Sequence, residues 1–163
     1  MQKIIPFLLI CTVAFSSCLK KDKGCQYSSS ATIAPASEQQ AVQTYLTNNG
    51  ITAIQHSSGF YYKITNAGSG MAPTLCSAVR VAYTGKLTNG NIFDSDTDVT
   101  FELGVLIEGW KKGVPLIQKG GKITLYIPPS LGYGPSDIKD ANNNVIIPGN
   151  SILIFDIELL DVQ

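Results

Sequence analysis

The chain has 163 residues, enough for one ordinary domain and a tail but short of two domains of typical size. Hydrophobic residues make up 44% and charged residues 15%, which supplies a core and excludes a chain disordered throughout. Twelve basic residues balance twelve acidic ones, so the basic excess of a nucleic-acid binder is missing and no such partner is expected.

Residues 1–17 have the makeup of a targeting segment. Lys3 gives a positive start, and Ile4 to Phe15 is an apolar run too short to span a bilayer comfortably. Ser16-Ser17 then precede Cys18. This arrangement resembles a bacterial lipoprotein signal, in which the cysteine is lipidated and becomes the new N-terminus. Phe15 departs from that pattern, which usually has an aliphatic there, and an ordinary secretory signal cut nearby is the alternative. The resemblance implies a lipid-anchored protein of a bacterial cell envelope, touching a membrane through Cys18.

Export changes how the cysteines read. Cys11 leaves with the signal and Cys18 carries lipid, so Cys25 and Cys76 remain as candidates for a disulfide in an oxidising compartment, with two free thiols as the alternative. No C-x-x-C occurs and the only histidine, His56, has no second ligand cluster near it, so neither a metal nor a cofactor is expected. Residues 18–36 are polar and Ser-rich and read as a flexible tether. In the extension at residues 37–58, Ser37 can cap a helix, Ala41, Val42, Tyr45 and Leu46 have helical spacing, and Asn48-Asn49-Gly50 ends it.

From Gly59 to the end, residues 59–163, the pattern is mainly that of strands. Phe60 to Ile64 is one. Val79, Val81 and Tyr83 alternate with polar or small residues in a second, and Asn89-Gly90 signals a tight hairpin. Val99 to Leu103 alternates again. Ile107, Trp110, Val114 and Ile117 fall on one face of a helix whose Lys111 and Lys112 are expected to face water, and Pro115 is expected to bend or shorten it. Lys122 to Ile127 and Ser151 to Val162 are long strands separated by a Pro/Gly/Asn-rich loop. This order predicts an α+β domain, an antiparallel twisted β-sheet wrapped around one short α-helix.

Three stretches carry a family resemblance: VRVAYTGKLTNGNIFDSD (79–96), FELGVLIEGWKKGVPLIQKGGKITLYIPPSLGYG (101–134) and VIIPGNSILIFDIELLDV (145–162). In order and spacing they resemble the FKBP-type peptidyl-prolyl cis–trans isomerases over roughly Phe60 to the C-terminus. The resemblance implies catalysis of rotation about X–Pro bonds, with proline-containing polypeptides as substrates, macrolides as a further ligand class, and assistance to folding of exported proteins. Trp110 would floor an apolar pocket walled by Tyr83, Phe93, Leu106, Ile107, Tyr133 and Phe155, with Asp94 at the rim near Tyr83. The Ile107 N–H and the Tyr133 hydroxyl would donate to the peptide's carbonyls. Val99, in a wall position often aromatic in eukaryotic members, and Ile146 and Ile147 complete the substrate-binding set. A monomer is expected, since the stretch at residues 37–49 is too short for the dimerisation segment of some secreted relatives.

Each residue also has an ordinary reading. A Trp opening a helix and a Phe in a strand are core residues wherever no hollow lies between them, and an Asp after a strand often satisfies turn backbone. His56 is expected to be a solvated loop residue. Val99 and Asn142-Asn143-Asn144 alter the expected rim, which keeps open a non-catalytic binding module or chaperone that grips prolyl or unfolded segments without turning them over. No Ser/His/Asp or Cys/His set can be assembled for a hydrolase.

Overall fold

The computed structural model describes residues 24–163. The stretch read as a targeting segment, residues 1–17 with Cys11, and the proposed lipidation position Cys18 lie outside the described residues. A helix α1 (Ala36–Asn48) precedes strands β1 (Ile54–Gln55), β2 (Tyr61–Asn66), β3 (Ala78–Leu87) and β4 (Ile92–Glu102). A short 3-10 turn, Leu103–Val105, leads into helix α2 (Glu108–Gly113), which continues as a second 3-10 turn, Val114–Leu116. Strands β5 (Lys122–Ile127), β6 (Ile138–Lys139), β7 (Val145–Ile147) and β8 (Leu153–Val162) complete the chain.

Six strands form one sheet in the order β1-β2-β5-β8-β3-β4, with every pairing antiparallel. The fold is thus α+β, with α2 against one face of the sheet. Side chains alternate across a strand, and β5 and β8 use both sides. Ile123, Leu125, Ile127, Leu153, Phe155, Ile157 and Leu159 join the large core that includes Trp110 and Val114. Their neighbours Tyr126 and Ile154 join a smaller cluster with Val42 and Leu46 of α1. The β3–β4 hairpin closes as its Asn-Gly pair predicts: Leu87 N–H donates to Asn91 O at 2.9 Å, and Gly90 has φ +87°, the left-handed region that glycine enters without steric cost.

Pro115 sits inside the second 3-10 turn, and α2 is only six residues long. Without an N–H, and with a ring that would meet the carbonyl four residues back, proline ends the α-helical pattern there. Helix α1 differs from expectation at its start. It begins at Ala36 with Pro35 in the capping position, so Ser37 caps nothing. Glu38 reaches away instead and accepts the Ser130 N–H at 2.9 Å.

Three further expectations are corrected. From Gly24 onward the polar segment read as a tether lies on the domain. Cys25 and Cys76 are disulfide-bonded with Cα atoms 5.5 Å apart, Ala34 is buried, and its N–H donates to Ser58 O at 2.9 Å. Because this segment crosses the outer side of α2, Lys111 and Lys112 do not stand free in water. Lys111 pairs with Glu108, and Lys112 donates to Ser30 O at 2.6 Å. His56 stacks on Phe60, ring centroids 4.4 Å apart, with Nδ1 2.9 Å from Ser58 Oγ. Partial burial and, secondarily, the Lys112 charge hold its pKa below the ordinary value of 6.5.

Candidate active site

The side chains of β3, β4, α2 and β8 converge on one hollow. Tyr83 comes from the middle of β3, and β8 lies beside it with Phe155 opposite Gly85. Trp110 enters as the third residue of α2, where Trp110 N–H donates to Ile107 O at 3.0 Å. The Tyr83 ring meets Trp110 edge-on at 5.4 Å and 86°, and Phe155 meets Trp110 at 5.3 Å and 87°. Phe101 closes on Trp110 at 6.1 Å and 90°. Edge-to-face contacts of this kind contribute about 0.5–1.5 kcal/mol each beyond burial, and they hold rings apart at angles that leave space. The space is a cavity of about 250 Å³ lined by Tyr83, Asp94, Phe101, Val105, Leu106, Ile107, Trp110, Tyr133 and Phe155.

One carboxylate stands at this rim. Tyr83 OH donates to Asp94 Oδ2 at 2.5 Å. Burial first, then the hydrogen bond to Asp94 and the charges of Asp94 and Asp96, push the Tyr83 phenol far above its ordinary pKa of 10.0. Burial and the Asp94 charge raise Tyr133 in the same direction. Both phenols therefore stay protonated donors throughout the neutral range. The Ile107 N–H precedes the first turn of α2, where helical N–H groups lack intrahelical partners, and it donates to no backbone carbonyl among the described residues. Ile107 and Tyr133, each carrying a donor, thus line a mainly aromatic and aliphatic hollow with Asp94 at its rim.

The residues singled out from sequence do not all line it. Tyr83, Asp94, Leu106, Ile107, Trp110, Tyr133 and Phe155 do. Phe93 stands one layer back, packing edge-on against Phe155 at 5.5 Å. Val99 is a correction: it packs against the core without lining the cavity, and Phe101 lines it instead. The β3–β4 register shifts between Val81 and Tyr83, so that Val81 opposes Val99 while Tyr83 opposes Asp96. Such a bulge bends the strand and re-aims side chains, and alternation in the sequence does not reveal it. Val105 lies in the 3-10 turn beyond β4, outside the strand alternation, and Phe101 shares the inward parity of Val99, so alternation singles out neither.

Ile146 and Ile147 are also corrected. Ile147 is buried in the main core and Ile146 is exposed, and neither lines the cavity. They belong to the small β6–β7 hairpin, whose turn is organised by Asp140. Its carboxylate accepts the N–H groups of Asn142 and Asn144, each at 2.8 Å, and the Asn144 side chain at 3.0 Å, and these bonds hold its pKa below the ordinary value. The asparagines read as part of the rim build this turn instead; Asn143 takes its left-handed position with φ +67°. Among the described residues no three His, Cys, Asp or Glu side chains are grouped to hold a metal ion.

Comparison with known proteins gives the site its context. A sequence model of the FKBP-type peptidyl-prolyl cis-trans isomerases matches residues 70–160. A probable FKBP-type peptidyl-prolyl cis-trans isomerase of Haemophilus influenzae is 47% identical over 110 residues, 65% of this chain and 44% of that protein. The isomerase FkpA of Escherichia coli K12 is 42% identical over 111 residues, 66% of this chain and 39% of its own length. The chain thus spans less than half the length of these curated relatives. Among solved structures, FkpA from Escherichia coli superposes with a TM-score of 0.65 at 37% identity, covering 78% of this chain and 58% of that one. A peptidyl-prolyl cis-trans isomerase from Pseudomonas syringae pv. tomato gives 0.66 at 29% identity, covering 81% of this chain and 98% of its own.

Proposed function

This chain belongs to the FKBP-type peptidyl-prolyl cis–trans isomerase family, and from that premise we propose that it catalyses rotation about X–Pro bonds in polypeptide segments bound at the aromatic cavity. The observation that carries the reading is the convergence of Tyr83, Trp110 and Phe155 on one hollow that Ile107 and Tyr133 also line.

The chemistry suits such a hollow. Rotation about an amide faces a barrier of about 18–20 kcal/mol because conjugation must be lost, and no covalent bond is made or broken. The twisted amide has less dipole than the planar one. An apolar cage therefore accommodates it better than water does, while water favours the planar ground state. Shape fit to the twisted prolyl ring, with the Ile107 N–H and the Tyr133 hydroxyl donating to flanking carbonyls, is binding that strengthens on the way to the transition state. Lowering the barrier by about 7 kcal/mol would speed exchange roughly 10⁵-fold. Asp94 serves here as the acceptor that orients the Tyr83 hydroxyl and polarises the rim.

A magnetisation-exchange measurement on a short prolyl peptide tests this directly. Catalytic amounts of the protein are expected to broaden the cis and trans signals into exchange, and an unchanged exchange rate would remove the reading. Fast exchange also separates turnover from binding alone, and loss of exchange on adding a macrolide would identify that ligand class. A role in folding exported proteins, and a lipid anchor on Cys18 in a bacterial envelope, belong to the same reading. They are supported by the apolar run at 4–15 and the Ser17-Cys18 junction. Mass spectrometry of the mature N-terminus decides the anchor: a diacylglyceryl-modified Cys18 is expected, and an unmodified terminus elsewhere excludes it.

A further inference from the structure

Helix α2 carries the floor of the cavity, yet at six residues it is too short to hold its own shape or place. What lies behind it is the segment at residues 24–35. Its two ends are secured, one by the Cys25–Cys76 disulfide and the other by the Ala34 N–H to Ser58 O bond at 2.9 Å. Between them it meets the elements that line the cavity at Tyr27 and around Ser30. The Tyr27 ring lies so close over Gly104 that a methyl group there would overlap it, and Gly104 belongs to the 3-10 turn running directly into Val105, Leu106 and Ile107. Three residues on, Ser30 Oγ donates to Glu108 Oε2 at 2.7 Å, while Lys112 Nζ donates back to Ser30 O at 2.6 Å. Glu108 also pairs with Lys111, and its carboxylate keeps under a fifth of its surface exposed. Wall and floor of the hollow are therefore backed from outside by one segment.

We propose that residues 24–35 form a positioning strap for catalysis, in which Tyr27 braces the cavity wall through Gly104 and Ser30 braces the Trp110 helix through Glu108. The inference rests on the isomerase reading. A cavity of about 250 Å³ has little room to absorb movement of its floor. A displacement of about 1 Å at a reacting site is enough to lower rates severely. Ser30 and Tyr27 touch no substrate; they act through the elements they hold.

The full chain offers a clean test, because Gly104 is not in the left-handed region and alanine is conformationally acceptable there. The three atoms nearest the new methyl group in Gly104→Ala all belong to the Tyr27 ring. Gly104→Ala, Tyr27→Ala, Ser30→Ala and the double variant Tyr27→Ala/Gly104→Ala are compared with wild type well below their melting temperatures. Two quantities are read: kcat/KM on a prolyl peptide, and the emission of Trp110, the only tryptophan in the chain. Each single variant is expected to lower kcat/KM about fivefold, a change of about 1 kcal/mol, and to shift Trp110 emission to the red. The double variant is expected to be no worse than Tyr27→Ala alone. Lower melting temperatures with kcat/KM and emission as in wild type would overturn the proposal, leaving the strap a structural prop. If Gly104→Ala fails to fold, Tyr27→Ala and Ser30→Ala, which only remove atoms, decide it alone. If wild type does not accelerate exchange at all, the isomerase reading falls; the strap is then judged on emission, where a red shift supports bracing of the Trp110 helix and no shift refutes it.

Discussion

The two faces of the sheet are each packed by a helix and behave oppositely. On one face α1 lays Val42 and Leu46, both essentially inaccessible, against Tyr61, Tyr126 and Ile154. On the other, α2 brings Trp110 against Tyr83, Phe101 and Phe155 and leaves a cavity. Adjacent residues of one strand serve both: Ile154 belongs to the first and Phe155 to the second. Branched aliphatic side chains interdigitate and fill volume, whereas rigid rings meeting edge-on cannot close the corners between them. A longer α-helix could have carried more side chains into that gap, but Pro115 ends α2 after six residues. A site can thus arise as the place where a core is prevented from closing.

This contrast can be broken by substitution on either face. Phe155→Ala removes a ring that touches Tyr83, Phe93 and Trp110, and is expected to lower kcat/KM about a hundredfold, equivalent to about 2.7 kcal/mol of transition-state stabilisation. It should also cost about 3–5 kcal/mol of stability, so circular dichroism and urea unfolding must accompany the assay. Leu46→Ala on the α1 face is expected to cost about 2–5 kcal/mol in urea unfolding while changing kcat/KM less than about twofold. If it lowered turnover as much as Phe155→Ala does, the two faces would not be functionally separate.

Smaller effects sharpen the picture. Tyr83→Phe keeps the ring and its contacts but removes the donor to Asp94, and is expected to lower kcat/KM about three- to tenfold with a stability change of about 0.5–1.5 kcal/mol. An unchanged kcat/KM would assign the Tyr83–Asp94 pair to structure only. The least effect concerns pH. His56 has a folded-state pKa below 6.5, so the unfolded chain binds its proton first as pH falls. Stability is expected to be level above about 6.5, to decline as pH falls below it, and to level again below the folded-state value. His56→Gln should flatten that slope in thermal unfolding followed between pH 7.5 and 5, and a slope that persisted would place its origin elsewhere.

Much of this molecule is determined by local sequence. The alternation along 79–84, the apolar strands at 122–127 and 151–162, the Asn89-Gly90 turn and the arrest of α2 at Pro115 are written in side-chain size, backbone freedom and the missing proline N–H, all properties of neighbours in the chain. The meeting of Tyr83, Asp94, Trp110, Tyr133 and Phe155 is implied only by the family resemblance of three stretches taken together, and all five line the cavity. Tertiary structure alone decided the rest. Phe101 rather than Val99 lines the cavity although both have the same parity and lie on the same side of the β3–β4 register shift, so alternation along the strand could not choose between them. A polar segment that reads as loose from composition is held down by partners 78 and 82 residues away, Glu108 and Lys112, and by the bond to Cys76. Contacts of such separation leave no periodic mark on either segment, since each residue is chosen for a neighbour that only folding supplies.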